Sequence, residues 1–182
     1  MERFRLVFSG SGGQGVITAS IILAEAAVLH DNLNAIQSQV YGPAARGGAA
    51  RSDVLISDKP IDFPKVTHPN VLVCLTQEAY HLYHPIIRPG SLLISDSRYV
   101  TLDSNVDARQ VSLPLYRSVM EQIKNATVYN ICVLGALIRL TDIVRTDSVK
   151  KVLEQRIPPT FLDMNREALD LGISIASALT SI

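Results

Sequence analysis

Short apolar runs separated by glycine- and proline-bearing turns fill the first hundred or so positions, and longer apolar stretches follow. Phe4-Arg5-Leu6-Val7-Phe8 is β-branched or aromatic at most positions and stops at Ser9-Gly10, which predicts a short buried strand. Val16 to His30 runs through Ile, Ala, Leu and Val with one charge, predicting a helix that is apolar nearly all round. Such a helix needs cover on more than one side: its own sheet on one, and a candidate partner surface on the other. Asn34 to Val40 reads as a second strand, ended at Tyr41-Gly42-Pro43 because proline cannot continue the ladder. Ala49 to Ser57 alternates, with Ala50, Ser52, Val54 and Ile56 on one face and Arg51, Asp53 and Leu55 on the other. A strand with one polar face is expected there.

Beyond the proline-bearing connection 59–69, Val71-Leu72-Val73-Cys74-Leu75 is the continuous apolar run of a central parallel strand. Thr76 is placed to cap a helix running to about Ile87, and Pro89-Gly90 ends it. Ser91 to Ser95 reads as another buried strand closed by Asp96-Ser97, and Gln110 to Leu113 as an edge strand. The repeated order of strand, helix, strand implies right-handed crossovers and a mainly parallel sheet. The rest is helical: Val128 to Leu140 is apolar almost throughout, and Ile157-Pro158-Pro159 separates a short helix from a last one. In that last helix Leu162, Leu169, Ile173, Ala176 and Leu179 keep a helical spacing. The predicted fold class is α/β, a Rossmann-like three-layer sandwich with a mainly parallel sheet and a helical C-terminal part. With 182 residues, 47% of them hydrophobic, the chain suffices for one core and is short for two, so residues 1–182 are expected to form a single domain.

Charge and cysteine usage narrow the partners. Lys+Arg and Asp+Glu both number 17, so the net charge is zero and offers no general attraction to nucleic acid or anionic membrane. Cys74 and Cys132 lie in apolar runs and form no CxxC pair, which suits reduced thiols in a cytoplasmic protein. The longest apolar stretch, Val16 to Leu29, contains Thr18, Ser20 and Glu25 and falls short of the ~20 residues of a membrane span. No basic segment leads into an apolar stretch with a cleavage site at the N-terminus. No nucleic acid and no membrane are therefore expected among the partners.

Candidate chemistry gathers in two glycine-rich segments. Gly10, Gly12 and Gly15 match GxGxxG after a strand and at the opening of a helix, where backbone N–H groups can face an anion. Two readings stay open for Gly10-Ser11-Gly12-Gly13-Gln14-Gly15: a phosphate site, or a turn kept small so that helix and sheet approach closely. A nicotinamide dinucleotide site calls for an acid about 20 residues further on. Ile36-Gln37-Ser38-Gln39-Val40 offers none and Asp31 falls too early, so NAD is disfavoured. Tyr41-Gly42-Pro43-Ala44-Ala45-Arg46-Gly47-Gly48 places one cation at the centre of a glycine-rich loop. Arg46 could clamp a phosphate or carboxylate, serve as an interface ion pair, or be an ordinary surface arginine. His81 and His84, with Glu78 a turn earlier, lack a third strong metal ligand, and His30 and His68 read as loop residues. No GxSxG, lysine P-loop or HExxH occurs, so no catalytic residue and no metal ligand is assigned.

The two glycine blocks together carry a resemblance. The second continues through Ala49-Ala50-Arg51-Ser52-Asp53-Val54, and Leu75-Thr76-Gln77-Glu78-Ala79-Tyr80, Leu134-Gly135-Ala136-Leu137 and the segment Pro158 to Gly172 extend the likeness over essentially the whole chain. The sequence resembles the gamma subunit of 2-oxoacid:ferredoxin oxidoreductases, most closely the 2-oxoglutarate or 2-ketoisovalerate type. The resemblance implies a complex that oxidatively decarboxylates a 2-oxoacid, here expected to be 2-oxoglutarate, to an acyl-CoA. It also implies alpha and beta subunits, a ferredoxin-like delta subunit, and ferredoxin or flavodoxin as electron acceptor. Thiamine diphosphate, magnesium and iron-sulfur clusters would reside on other subunits, and the isolated chain would be inactive. Carried over, Gly10, Gly12, Gly13, Gln14, Gly15 and Arg46 would face a CoA phosphate or a subunit contact, and Tyr41, Gly42, Pro43, Arg46, Gly47 and Gly48 would form an interface. Family members often carry Glu or another polar residue at position 44 or 45, where this chain has Ala44-Ala45, so a carboxylate role in that loop is absent. Tyr41-Gly42-Pro43 points away from the indolepyruvate branch. The alternative is a stand-alone nucleotide- or CoA-binding regulatory module. Removed from partners, the apolar helix and the 41–48 loop would expose sticky surface and favour a homo-oligomer.

Overall fold

A computed structural model describes residues 3–40 and 49–180. Its strands are β1 (Phe4–Gly10), β2 (Asn34–Val40), β3 (Ala50–Ser57), β4 (Val71–Cys74), β5 (Ser91–Asp96) and β6 (Ala108–Leu113). Its helices are α1 (Val16–His30), α2 (Gln77–Tyr83), α3 (Leu115–Gln122), α4 (Tyr129–Thr141), α5 (Thr146–Arg156) and α6 (Pro159–Thr180). The strands form a six-stranded sheet in the order β2-β3-β1-β4-β5-β6. β3 runs antiparallel to both its neighbours, β1 and β2. The β1–β4, β4–β5 and β5–β6 pairs are parallel. The expected mainly parallel α/β sheet is thus found, with β6 at its edge.

Crossover handedness explains where the layers lie. From β1 the chain passes through α1 to β2 on one side, and from β4 through α2 to β5 on the other. Right-handed crossovers in opposite directions put α1 and α2 on opposite faces. The core divides accordingly. Leu6, Phe8, Val54, Ile56, Val73 and Ile94 pack against α1 and α3 to α6. Val7, Leu55, Leu72 and Leu93 pack beneath Tyr80 of α2, with Val66 and Val100 from the connecting segments. Among the described residues the second face is therefore covered by one short helix and two connections, a lopsided version of the predicted sandwich.

Local differences from the sequence reading have local causes. β1 extends through Ser9 and Gly10, because the Ser9 hydroxyl donates to the Val73 carbonyl at 2.7 Å and satisfies itself inside the ladder. Thr76 caps α2 as expected, its Oγ1 accepting from the Ala79 N–H at 3.2 Å, but the helix ends at Tyr83. The chain tightens into a 3₁₀ turn over His84–Ile86, where Pro85 has no N–H to continue an α-helix. The polar face of β3 is neutralised within the protein: Arg51 grips Asp53 through Nε and Nη2 at 2.6 and 2.9 Å and donates to the Val66 carbonyl at 3.0 Å.

The second side of α1 is covered chiefly by the chain itself. Arg156 of α5 pairs with Glu25, and Arg145 with Ser148 holds Asp31 at the end of α1. Val28 and Leu29 remain exposed. On the far side α4 and α6 meet at Gly135 and Gly172. A Cβ at Gly135 would strike the Leu169 carbonyl, and one at Gly172 the Cys132 carbonyl.

Candidate functional site

In open α/β sheets the binding crevice lies at the carboxyl ends of the strands where the crossovers change direction. Here that point falls between β1 and β4, and the glycine turn 10–15 closes it from one side. Gln14 folds its side chain back into the crevice. Its Oε1 accepts from the Ser11 N–H at 2.7 Å, and its Nε2 donates to the Leu75 carbonyl at 3.2 Å, just beyond β4. Gly10 leaves room for that carboxamide, since a Cβ there would collide with Gln14 Oε1. Gly13 and Gly15 have φ of +90° and +70°, a region unfavourable for L side chains. A Cβ at Gly12 meets nothing within 4 Å among the described residues.

Gly15 is the N-cap of α1 and carries no side chain to satisfy the helix's first amides. Asn130 packs against it. Asn130 Nδ2 donates to the Gly15 carbonyl at 3.3 Å, and a Cβ on Gly15 would lie 2.7 Å from the Asn130 carboxamide. The neighbouring Tyr129 hydroxyl donates to buried Asp96 at 2.9 Å. The same carboxylate receives the Arg98 and Tyr116 N–H groups at 2.8 and 2.7 Å. Burial, and the Asp96 carboxylate it faces, push the Tyr129 hydroxyl far above the usual tyrosine range, so it stays a donor. The start of α4 is thereby tied both to the end of β5 and to the glycine turn. Sequence reading missed Asn130, Tyr129 and Asp96 as site-forming residues, because the bonds that bring them together, Tyr129 to Asp96 and Asn130 to Gly15, span 33 and 115 positions.

Beside the turn opens a cleft of about 480 Å³ between α1, the start of α4 and the α5–α6 junction. Gly13, Gln14 and Gly15 form one wall, Asn130 and Ile131 the next, and Pro158, Phe161, Met164 and Asn165 the third. Phe161 is 52% exposed at the rim. Among the described residues no charged side chain lines the cleft. It can offer backbone N–H groups, carboxamides and an apolar wall.

Other candidates do not assemble into a reactive centre among the described residues. Burial pushes the thiols of Cys74 and Cys132 up to about 12. Both should therefore resist iodoacetamide at pH 8 in the native protein and react after denaturation, as followed by mass spectrometry; rapid native labelling would contradict their burial. His84 lies against the Tyr80 ring at 5.0 Å and His81 against the Gln77 amide at 2.9 Å. No group of three His, Cys, Asp or Glu residues suited to a metal occurs among the described residues, and no described helix is long and apolar enough to cross a membrane. Tyr41, Gly42, Pro43, Arg46, Gly47 and Gly48 lie outside the described residues.

Comparison with known proteins fits this arrangement. A family model described as pyruvate ferredoxin/flavodoxin oxidoreductase matches residues 5–175. Subunit KorC of 2-oxoglutarate synthase from Methanocaldococcus jannaschii is 45% identical over 179 residues, spanning 97% of this chain and 96% of its own length. The gamma subunit of a keto/oxoacid ferredoxin oxidoreductase from Geobacter sulfurreducens superposes with a TM-score of 0.90 at 38% identity, covering 98% of both chains. A 2-oxoglutarate:ferredoxin oxidoreductase from Magnetococcus marinus, solved with 2-oxoglutarate, coenzyme A and succinyl-CoA bound, shares the fold. Its TM-score is 0.88 at 23% identity, over 98% of this chain and 32% of that one. The chain belongs to the pyruvate ferredoxin/flavodoxin oxidoreductase family.

Proposed function

We propose that this chain is the gamma-type subunit of a 2-oxoglutarate:ferredoxin oxidoreductase, a complex that converts the 2-oxoacid and CoA to an acyl-CoA and passes electrons to ferredoxin. The observation that carries the reading is the 45% identity, over nearly the full length of both chains, to a 2-oxoglutarate synthase subunit, together with a gamma-subunit structure matched over 98% of both chains. These likenesses favour a subunit over a stand-alone regulatory module. The reading takes residues 1–182 as a single domain in the cytoplasm and assigns alpha and beta subunits and a ferredoxin-like delta subunit as its partners.

The glycine turn and its cleft take the coenzyme A part of the reaction. Gly12, Gly13 and the first amides of α1 would receive a CoA phosphate, with Arg46 as its counter-charge. The carboxamides of Asn130 and Asn165 and the wall at Phe161 and Met164 suit the amide-bearing arm of the coenzyme. Gly12 leaves the turn open to a ligand on that side as far as the described residues go, since none of them comes within 4 Å of its would-be Cβ. Thiamine diphosphate with its magnesium does not fit the described residues, which offer no carboxylate cluster for the metal and whose crevice at β1 and β4 is filled by Gln14. Those groups and the iron-sulfur clusters are assigned to other subunits, and no reaction step is placed on this chain. The 41–48 loop is assigned to the subunit interface around the same site.

The test is to express the chain with its partner subunits, recover the complex, and titrate CoA by steady-state kinetics. Arg46→Ala should raise the KM for CoA about tenfold or more, as expected for loss of a charge-assisted hydrogen bond of about 1.5–3 kcal/mol. Native mass spectrometry separates this from failed assembly. Unchanged assembly with an unchanged CoA dependence would remove Arg46 from the site, and a chain that purifies alone, fully active, would overturn the subunit reading.

A further inference from the structure

The crevice at the carboxyl ends of β1 and β4, where ligands of open α/β sheets usually sit, is occupied by a side chain of this protein. The Gln14 carboxamide uses both its functions there. Its oxygen takes the Ser11 N–H, the donor that an anion at this turn would otherwise claim. Its nitrogen reaches 61 residues along the sequence to the Leu75 carbonyl. Leu75 is itself fixed, its N–H donating to the Ser9 carbonyl at 2.9 Å, and Thr76 beside it caps α2. A missing Cβ at Gly10 makes the space. From these contacts we infer that Gln14 is a positioning residue: its side chain stands in for a ligand at the switch point, locks the glycine turn to the β4–α2 corner, and directs ligand binding into the flanking cleft against α4 and α6.

A carboxamide is the neutral side chain of this length that can satisfy one donor and one acceptor at once. Gln14→Met keeps length and volume and removes both bonds. Gln14→Glu keeps the acceptor for Ser11 but sets an oxygen against the Leu75 carbonyl. In the assembled complex, hydrogen–deuterium exchange of Gln14→Met should quicken by about tenfold both in residues 10–16 and in residues 74–80, far apart in sequence, and Gln14→Glu chiefly in 74–80. The inference rests on the CoA reading for its kinetic consequence. The KM for CoA should rise about tenfold in Gln14→Met while kcat falls less, because a group remote from the reacting thiol contributes equally to ground- and transition-state binding. Faster exchange confined to residues 10–16 would overturn the lock. Faster exchange in both segments with an unaltered KM in Gln14→Met, while Arg46→Ala still raises it, would overturn the positioning role. If neither variant moves the KM yet both segments still exchange faster, the lock stands and the CoA assignment falls. Gln14→Glu keeps the test open should Gln14→Met fail to assemble.

Discussion

Gly172→Ala is expected to destabilise the protein by about 3 kcal/mol, at the upper end of the range for overpacking a well-filled core. The added methyl has nowhere to go: it meets the Cys132 carbonyl and lies 2.9 Å from the Ala136 nitrogen, both backbone atoms of α4. Gly135→Ala presses from the other side on the Leu169 carbonyl, 3.2 Å from the Ile173 nitrogen. Side chains could turn aside, but two helical backbones must separate as units. At roughly 2–4 °C per kcal/mol for a chain of this size, the melting temperature should fall by about 6–12 °C in either variant, read by calorimetry or circular dichroism. The double variant should cost less than the sum of the two, because one separation of α4 from α6 relieves both clashes. A fall below about 2 °C in both single variants would show that the helices part freely.

The second large effect is expected at the turn. Gly15→Ala places an L residue at φ +70°, a penalty of about 1–2 kcal/mol, and drives its methyl to 2.7 Å from the Asn130 carboxamide. A combined loss of about 2–4 kcal/mol is expected. Asn130→Ala removes the obstructing carboxamide. Gly15→Ala with Asn130→Ala should therefore be about 1–2 kcal/mol more stable than the two single losses predict, measured as a double-mutant cycle in urea. Strict additivity would mean that Asn130 does not press on the turn. Because Asn130 also lines the cleft, the same variants should weaken CoA binding to the assembled complex if the proposed site is right.

The positions of the elements were largely legible because the signals that set them are local. The apolar run Val71–Leu75, the cap at Thr76, the unbroken Val16–His30 helix and the proline pair at 158–159 each act on a few neighbours, and each has its counterpart in the structure. Differences arose where a side chain's partner is distant. Ser9 and Gly10 look like the end of a strand until Arg51 and Ala50 supply their ladder partners on β3 and the Val73 carbonyl accepts the Ser9 hydroxyl. The all-round apolar α1 looked half-open to a partner, yet α5 returns from well over a hundred residues away to cover it. The glycine turn was legible as a turn at the mouth of a helix, but its two open readings could not be separated along the chain. The reason is that Gln14, a residue with no periodic or motif signature of its own, acts on the carbonyl of Leu75.

The sequence by itself determined the mainly parallel α/β layering, the strand–turn–helix that opens it and the family to which the chain belongs, because these depend on apolar periodicity, turn residues and motif spacing. Only the tertiary structure decided that the Gln14 carboxamide bridges the glycine turn to the end of β4 and that the open cleft lies to one side, against α4 and α6. That outcome depends on Leu75 and Asn130 reaching the turn from 61 and 115 positions away, contacts created by the crossovers themselves.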